Sequence, residues 1–496
     1  MPRFSRRGFL RLALASAFAR PAGAAPAAGP TALDVHRDTR NTWHGPTALG
    51  SLFTERPLPY KPYPGAPRIA LPRALPAADR SLAEAVREAA PAPAFSDEPI
   101  SLAALAALLQ LTNGVTGEIP GSDPPEYRRA APSAGALYAG EVYVVAERVT
   151  GLAPGAYSYA VAEHALVSIG SGAVPGEVAG AACAVLLSNV FARYAWRYRQ
   201  RGYRYALIDS GHIGENLRLA AAAGGFAHAS PRRFHDDALN ALLGLDGTEE
   251  AVCALHGLGL AVGTREIASR AWRGASRAWR ERGRAEGSLS TALRYHEATK
   301  LEPDAAGEPA PAPRAPAPPP LLPASPSLSV AAAISQRRSA RGFRDEPITQ
   351  DELAFVTELA RSPGLSLRLV VHRVAQLAPG LYDAAPGGLA LLRSGSLERR
   401  MIRACLFQER AGTAAVAFAF VADLGRARAE GERTYRDQLL EAGAAAQRVY
   451  LAAESLGLAA RNLAAFFDDS LDDLLELDGR EHVAIHLTLL GRESQR

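Results

Sequence analysis

The feature that most constrains this chain is that it is written twice. "YRYALIDSGHIGENLRLAAAAGGF" (203–226) matches "YRDQLLEAGAAAQRVYLAAESLGL" (435–458), and "FHDDALNALLGLDG" (234–247) matches "FFDDSLDDLLELDG" (466–479), both at an offset of 232 residues. "VTGLAPGAYSY" (149–159) parallels "VAQLAPGLYDA" (374–384), and "LDVHRDTR" (33–40) returns as "LRYHEATK" (293–300). A further pair opens each copy: "FSDEPIS" from Phe95 and "FRDEPIT" from Phe343. Five matches in one order identify a tandem duplication, so the chain must build two like units.

Each copy reads the same way. A helix follows the F-x-D-E-P-I frame; in the second copy Thr349 and Glu352 have capping-box spacing at its start. Apolar, β-rich runs predict strands at 141–145, 183–190 and 251–262, and in the second copy at 367–374, 414–423 and 482–491. Between the second and third of each set lies a long, mostly apolar helix, about 203–224 and 435–457. Strands mixed with long helices, without regular βαβ alternation, give an α+β layered fold. Residues 302–326 are rich in Pro and Ala and too poor in apolar bulk to pack, so they read as an extended linker. The expected organisation is a leader at 1–25, an extension at 26–70, copy one at 71–267, a basic segment with the linker at 268–327, and copy two at 328–496.

The net charge of +4 is misleading. Residues 1–25 carry five arginines and no acid, so without them the charge is −1. "SRRGFLRLALASAFARPAGAA" has paired arginines (Arg6, Arg7), an Ala/Leu run and an A-x-A site at 22–24, and so resembles a twin-arginine export signal. The expectation is therefore an exported, periplasmic protein. A nucleic-acid partner loses its main support with the leader. Trp272 and Trp279 lie seven apart among arginines, a spacing that suits a helix packed on its own domain better than a binding patch. After the leader no apolar stretch reaches bilayer length, so no stable membrane insertion is expected. Cys183, Cys253 and Cys405 lie in apolar contexts and read as buried thiols. His228 and His235 lack a ligand set, so no metal is expected. His212 opens the long helix, either near a ligand or capping a turn.

Two segments carry most of the chemistry. "QRRSARGF" (336–343) puts Arg337, Arg338 and Arg341 within five residues, a density that repels itself unless an anion or solvent compensates it. Arg492, closing the last strand, could add a donor. "RRAAPSAGALYAGEVYVV" (128–145) places Pro132, Ser133, Ala134 and Gly135 where backbone N–H groups can approach a flat ligand. The losses are complementary. Copy one has Ala89, Ala90 and Pro93 where copy two has its arginines, and copy two has "ELARSPGLSLRL" (358–369) in place of the small-residue loop.

"PSAGALY…EVYVV", "GLAPGAYSY", "YRQRGYRYALIDSGHIGENL", "DDALNALLGLDG" and "QRRSARGF" together resemble the nitroreductase-like flavoprotein superfamily, and within it the SagB/ThcOx-type dehydrogenases. The resemblance covers most of 80–265 and 328–492. It implies FMN bound between two equivalent units, here fused as an intramolecular, monomeric pseudo-dimer. Arg337, Arg338, Ser339, Arg341 and Arg492 would then hold the flavin phosphate, and Pro132, Ser133, Ala134 and Gly135 of the other copy would flank the ring. One composite site and one degenerate site are expected. The azoline oxidases of this group carry a Lys-Tyr pair before the long helix; here it is Arg197-Tyr198, and arginine does not deprotonate usefully. The resemblance implies a two-electron dehydrogenase acting on a peptide-derived or small organic substrate. The alternatives are an NAD(P)H-dependent nitro or quinone reductase, and a flavin-free scaffold for a precursor peptide or partner enzyme.

Overall fold

The computed structural model describes residues 29–43, 56–73, 80–89, 94–121, 125–261, 290–301 and 328–494. The leader, the Trp272/Trp279 segment, the linker, and Ala90 and Pro93 lie outside the described residues. In copy one the elements are α1 (Ala32–Asp38), β1 (Arg68–Ala70), α2 (Leu82–Glu88), α3 (Leu102–Asn113), β2 (Val115–Ile119), β3 (Glu126–Arg129), β4 (Gly140–Ala146), β5 (Gly155–Ala160), β6 (Ala165–Gly170), β7 (Cys183–Val190), α4 (Phe191–Tyr198), α5 (Gly202–Ala223), β8 (Ala227–Ala229), α6 (Asp236–Leu243) and β9 (Glu250–Gly259). Copy two continues with α7 (Ser290–Ala298), α8 (Val330–Gln336), α9 (Gln350–Ala360), β10 (Ser366–Val371), β11 (Gly380–Asp383), β12 (Ala390–Ser394), α10 (Glu398–Ala404), β13 (Val416–Asp423), α11 (Thr434–Ser455), β14 (Ala459–Leu463), α12 (Asp468–Leu474) and β15 (His482–Gly491).

The two large sheets repeat one plan. Their strand orders are β1-β6-β5-β4-β7-β9-β8 and β12-β11-β10-β13-β15-β14, with every pairing antiparallel. Apart from the extra edge strand β1, the second order is the first element for element. The fold is α+β, two like domains in tandem.

The shared frame proves to be a packing device. Phe95 bridges Ala261 and lies under Gly257 and Gly259, while Phe343 bridges Glu493 and lies under Gly491. Each phenylalanine fills the space that a Cβ on the last long strand would occupy. The expected capping box is present at Thr349 and Glu352.

The copies meet through their long helices. α5 and α11 cross at Gly211 and Gly443, which are 232 residues apart, as the two copies are. A Cβ on Gly211 would overlap the Leu440 carbonyl oxygen, and one on Gly443 would overlap that of Ile208. Only hydrogen at both positions lets the backbones come this close. On either side of the crossing lies a fully buried carboxylate gripped by two guanidiniums. Asp468 is held by Arg201 at 2.6 Å and Arg204 at 2.7 Å, and Asp236 by Arg433 at 2.6 Å and Arg436 at 2.8 Å. All six numbers pair at the offset of 232, so the two clusters are one interaction repeated about a pseudo-twofold axis. Burial alone would raise the Asp236 carboxyl; Arg436 and Arg433 hold it below the usual range.

The short preludes cross over as arms. α1 of copy one docks His36 Nδ1 on the Tyr435 hydroxyl at 2.9 Å, and the Asn41 amide donates to Asp468. α7 of copy two docks His296 on Tyr203 at 3.2 Å, and Leu301 N–H reaches Asp236. Each arm thus lies over the other copy. Among the described residues no helix is long and apolar enough to cross a membrane.

Candidate functional site

One asymmetry decides where a site can form. Between α3 and β4, copy one carries residues 114–139, which make the β2–β3 hairpin and the loop to Gly140. Copy two passes from α9 to β10 through 361–365 alone. The small-residue wall therefore exists once, and copy two's arginines sit against it. Arg337, buried, donates to the carbonyls of Ala130 at 3.0 Å and Arg129 at 3.2 Å. Arg338 donates to Thr116 O at 2.8 Å as well as to Ser335 and Arg337. Ser339 Oγ lies 2.8 Å from the Tyr450 hydroxyl, and Arg337 stacks over the Tyr450 ring at 5.2 Å. The two segments singled out in the sequence are thus brought together from opposite copies.

The electrostatics are one-sided. Arg337, Arg338, Arg341, Arg410 and Arg461 make no ion pair with any carboxylate among the described residues. Burial lowers the guanidinium of Arg337, and that of Arg461 is lowered by burial and then by Arg410. Cations buried without counter-charge are costly unless an anion joins them. Arg341 is exposed, free to turn toward one. Arg492 is placed differently: it forks onto both oxygens of Glu352 at 3.1 Å, securing the start of α9, and stands engaged rather than open to a ligand.

A neutral hydrogen-bonded chain runs inward from Ser339. Asn462 N–H donates to the Tyr450 hydroxyl at 2.8 Å, and Asn462 Nδ2 lies 2.7 Å from His212 Nε2. His212 Nδ1 is 3.1 Å from Gln447 Oε1, and Gln447 Nε2 donates to Asn216 Oδ1 at 2.6 Å. The Asn462 amide nitrogen can only donate, so His212 accepts at Nε2 and carries its proton on Nδ1. Burial first, then His486, keeps the ring neutral by lowering its pKa well below the usual range. His212 lies in the middle of α5 rather than opening it, so it caps no turn; it makes a polar link between the copies.

At the loop, Ser133 Oγ lies 2.8 Å from the Tyr194 hydroxyl and accepts from Tyr138 N–H at 2.9 Å. Ala134 N–H donates to Asp209 Oδ2 at 3.0 Å, and the Tyr194 hydroxyl donates to the same oxygen. Gly135 adopts φ +62°, and a Cβ there would overlap the Tyr198 hydroxyl, with Cζ at 3.3 Å. Tyr198 is only 8% exposed and meets Tyr205 edge-on at 4.8 Å. Burial raises its phenol, so it stays a donor. Arg197 is exposed, 5.9 Å from the Tyr198 ring. Sequence reasoning missed Tyr194, Asp209, Tyr450, Arg461 and Asn462. For the first two a signal existed, since polar side chains within helices long enough to be core elements need buried partners.

The second, pseudo-symmetric location is closed by the protein itself. Arg448 donates to the Leu359 and Arg361 carbonyls and pairs with Glu215, while Arg218 pairs with Glu215 and donates to Ala89 O. Among the described residues no group of three His, Cys, Asp or Glu side chains is placed to hold a metal. The three cysteines are buried and free.

The nitroreductase family model matches this chain twice, over residues 94–260 and 334–492. A nitroreductase-like protein of Methanocaldococcus jannaschii, MJ1384, is 29% identical over 159 residues, which span 30% of this chain and 77% of that protein. The crystal structure of a nitroreductase-like protein of Anabaena variabilis superposes with a TM-score of 0.73 at 24% identity, covering 94% of this chain and 100% of that one. That likeness establishes the fold over both copies.

Proposed function

Because the chain belongs to the nitroreductase family, whose members are flavin-dependent oxidoreductases, we propose that it binds one FMN in the composite site between its copies. The observation that carries this reading is the arginine cluster of copy two, without an ion pair among the described residues, lying against a loop that copy one alone possesses. The residues fit the group: guanidiniums without an ion pair among the described residues suit a phosphate, and a positive-φ glycine in a small-residue loop suits close approach of a flat ring. Arg337, Arg338, Ser339, Arg341 and Arg461 would hold the phosphate, and Pro132, Ser133, Ala134 and Gly135 would flank the ring.

When bound, the flavin supplies two-electron hydride chemistry. This chain's residues supply the rest. The Tyr198 hydroxyl, kept protonated by burial, offers a proton beside Gly135. Arg197, exposed and without an ion pair among the described residues, orients an anionic group of the substrate. Dehydrogenation of a peptide-derived or small organic substrate is the finer part of the proposal, supported by the motif resemblance. Export by the twin-arginine route belongs to it as well, since that route carries folded, cofactor-loaded proteins; N-terminal sequencing of protein recovered from the periplasm tests it.

Flavin stoichiometry of the purified chain decides between one site and two. A ratio near one, lost in Arg338→Ala and kept in Arg87→Ala, is the expected result. A ratio of two, or equal loss from both variants, refutes the composite site. A colourless chain that FMN cannot reconstitute favours the scaffold reading, which draws on Arg337, Arg338 and Arg492 already spending donors on protein oxygens.

A further inference from the structure

We propose that Asp209 is the positioning residue of the Ser133–Gly135 loop and works as a proton-operated latch, closed when its carboxyl is neutral and released when it ionises. The proposal rests on the reading of that loop as the wall of the flavin site.

The geometry gathers the whole loop onto one carboxyl. Oδ2 accepts from Ala134 N–H at 3.0 Å and from the Tyr194 hydroxyl; that hydroxyl lies 2.8 Å from Ser133 Oγ, which accepts from Tyr138 N–H. What is missing is a cation. Asp236, Asp468 and Glu215, likewise buried, are each held by two guanidiniums. Asp209 has no cation at ion-pair distance among the described residues. The polar groups that face it are Tyr194 and Tyr198 on α4 and Ser133 and Ala134 on the loop, all neutral. From α11, which crosses α5 two residues further on, Leu440 faces the crossing.

Such a site favours the uncharged acid. Both bonds fall on Oδ2, so a proton on Oδ1 leaves them intact and the closed loop is compatible with a neutral carboxyl. The anion, by contrast, is buried without counter-charge. Burial pushes the Asp209 carboxyl up to about 7, against the opposing pull of Tyr194, Ser133 and Ala134. An opened loop would return the group to water and to its ordinary value near 3.8. The closed state therefore holds the proton more tightly than the open one. Closure is fully favoured below the open value, and is lost as pH rises through about 7.

The latch exists only where the loop does. In copy two the corresponding residue is Glu441, whose carboxylate lies against Gly364 in the short 361–365 link. The consequence for the site is positional: Tyr198 packs under Gly135, so release of the loop separates the proton donor from the wall it serves. Asp209 acts through the loop and touches no reacting atom.

The test uses the full chain, with FMN as titrant and hydrogen exchange as a second readout. In the wild type, exchange protection of the peptide spanning 130–138, corrected for the intrinsic rate, and FMN affinity should both fall on the order of a hundredfold from pH 4.5 to 7.5 and level off above about pH 8. Asp209→Asn, a neutral isostere, should hold the wild type's values at about pH 4.5 throughout. Tyr194→Phe removes one of the groups that pull the carboxyl down, so it should lower both quantities and move the pH midpoint upward. A wild-type profile that is flat, or an Asp209→Asn variant that follows the wild-type profile, overturns the latch. If FMN binds neither chain while the exchange profile still switches, the latch stands and the flavin reading fails.

Discussion

Gly211→Ala is the perturbation that most directly tests the pseudo-dimer. The new Cβ would overlap the Leu440 carbonyl oxygen and lie 3.0 Å from Ala444 N, so it meets backbone on two sides. No side-chain rotamer can relieve contact with main chain; α5 and α11 must part. Restoring ordinary carbon–oxygen contact requires a local separation on the order of 1 Å, in an interior packed to crystal density. Overpacking costs typically 1–3 kcal/mol, and here the upper end applies because both partners are rigid helices. For copies of this size that corresponds to a fall in Tm of roughly 6 °C or more. The composite site straddles the same interface, so flavin content should fall with Tm. Thermal unfolding and flavin absorbance of the purified chain measure both. Gly443→Ala should match it by pseudo-symmetry, and Gly176→Ala, where a Cβ meets nothing within 4 Å, is the control. A Gly211→Ala chain with wild-type Tm and flavin content would refute the account of the interface.

Further expectations can be checked on the same preparation. Asp468→Asn and Asp236→Asn each strand two buried guanidiniums and should each cost about 3–5 kcal/mol by urea unfolding, with similar values because the clusters are equivalent. Asp472 occupies the place that Asn240 has in copy one; each Oδ1 accepts a β-strand N–H at 2.8 Å, from Ala484 and Val252 respectively. Burial pushes Asp472 up to about 7 from 3.8, so its contribution to stability is greatest in acid and is lost as pH rises through 7. Asp472→Asn should then stabilise the chain at pH 8 by up to about 4 kcal/mol and change little at pH 4, read from urea unfolding at the two pH values. Arg492→Ala should leave flavin content unchanged while loosening α9, because its guanidinium is spent on Glu352; loss of flavin would return Arg492 to the phosphate.

The repeated frames made the two copies legible, since "FSDEPI" and "FRDEPI" mark equivalent places and the phenylalanines do equivalent work at strand ends. The long helices at 203–224 and 435–457 and the three buried strands of each copy fall within a few residues of their observed bounds, because continuous apolar runs leave few other conformations. The reciprocal losses of Arg337–Arg341 and Pro132–Gly135 also pointed to one site shared between copies, and the structure places Arg337 and Arg338 on the carbonyls of Arg129, Ala130 and Thr116, which precede that loop. What was not legible was which donor faces which acceptor. Arg492 reads as a free donor in sequence and is paired in the fold. The preludes 33–40 and 293–300 read as like segments, yet nothing in them says that each lies on the opposite copy.

The sequence by itself determined a duplicated α+β chain, the family of its units and the asymmetry between them, because repeats, apolar periodicity and lost motifs are local patterns. Only the tertiary structure decided that Gly211 and Gly443 are the crossing point, that Asp236 and Asp468 are twin anchors, and that Asp209 is buried with no counter-ion among the described residues. The anchors depend on side chains 197 to 267 residues apart meeting across the docked interface, and the Asp209 site on a loop 75 residues earlier in the same copy. The strength of a carboxylate, a guanidinium or a missing Cβ is set by what the fold brings to it, and no local pattern encodes that neighbour.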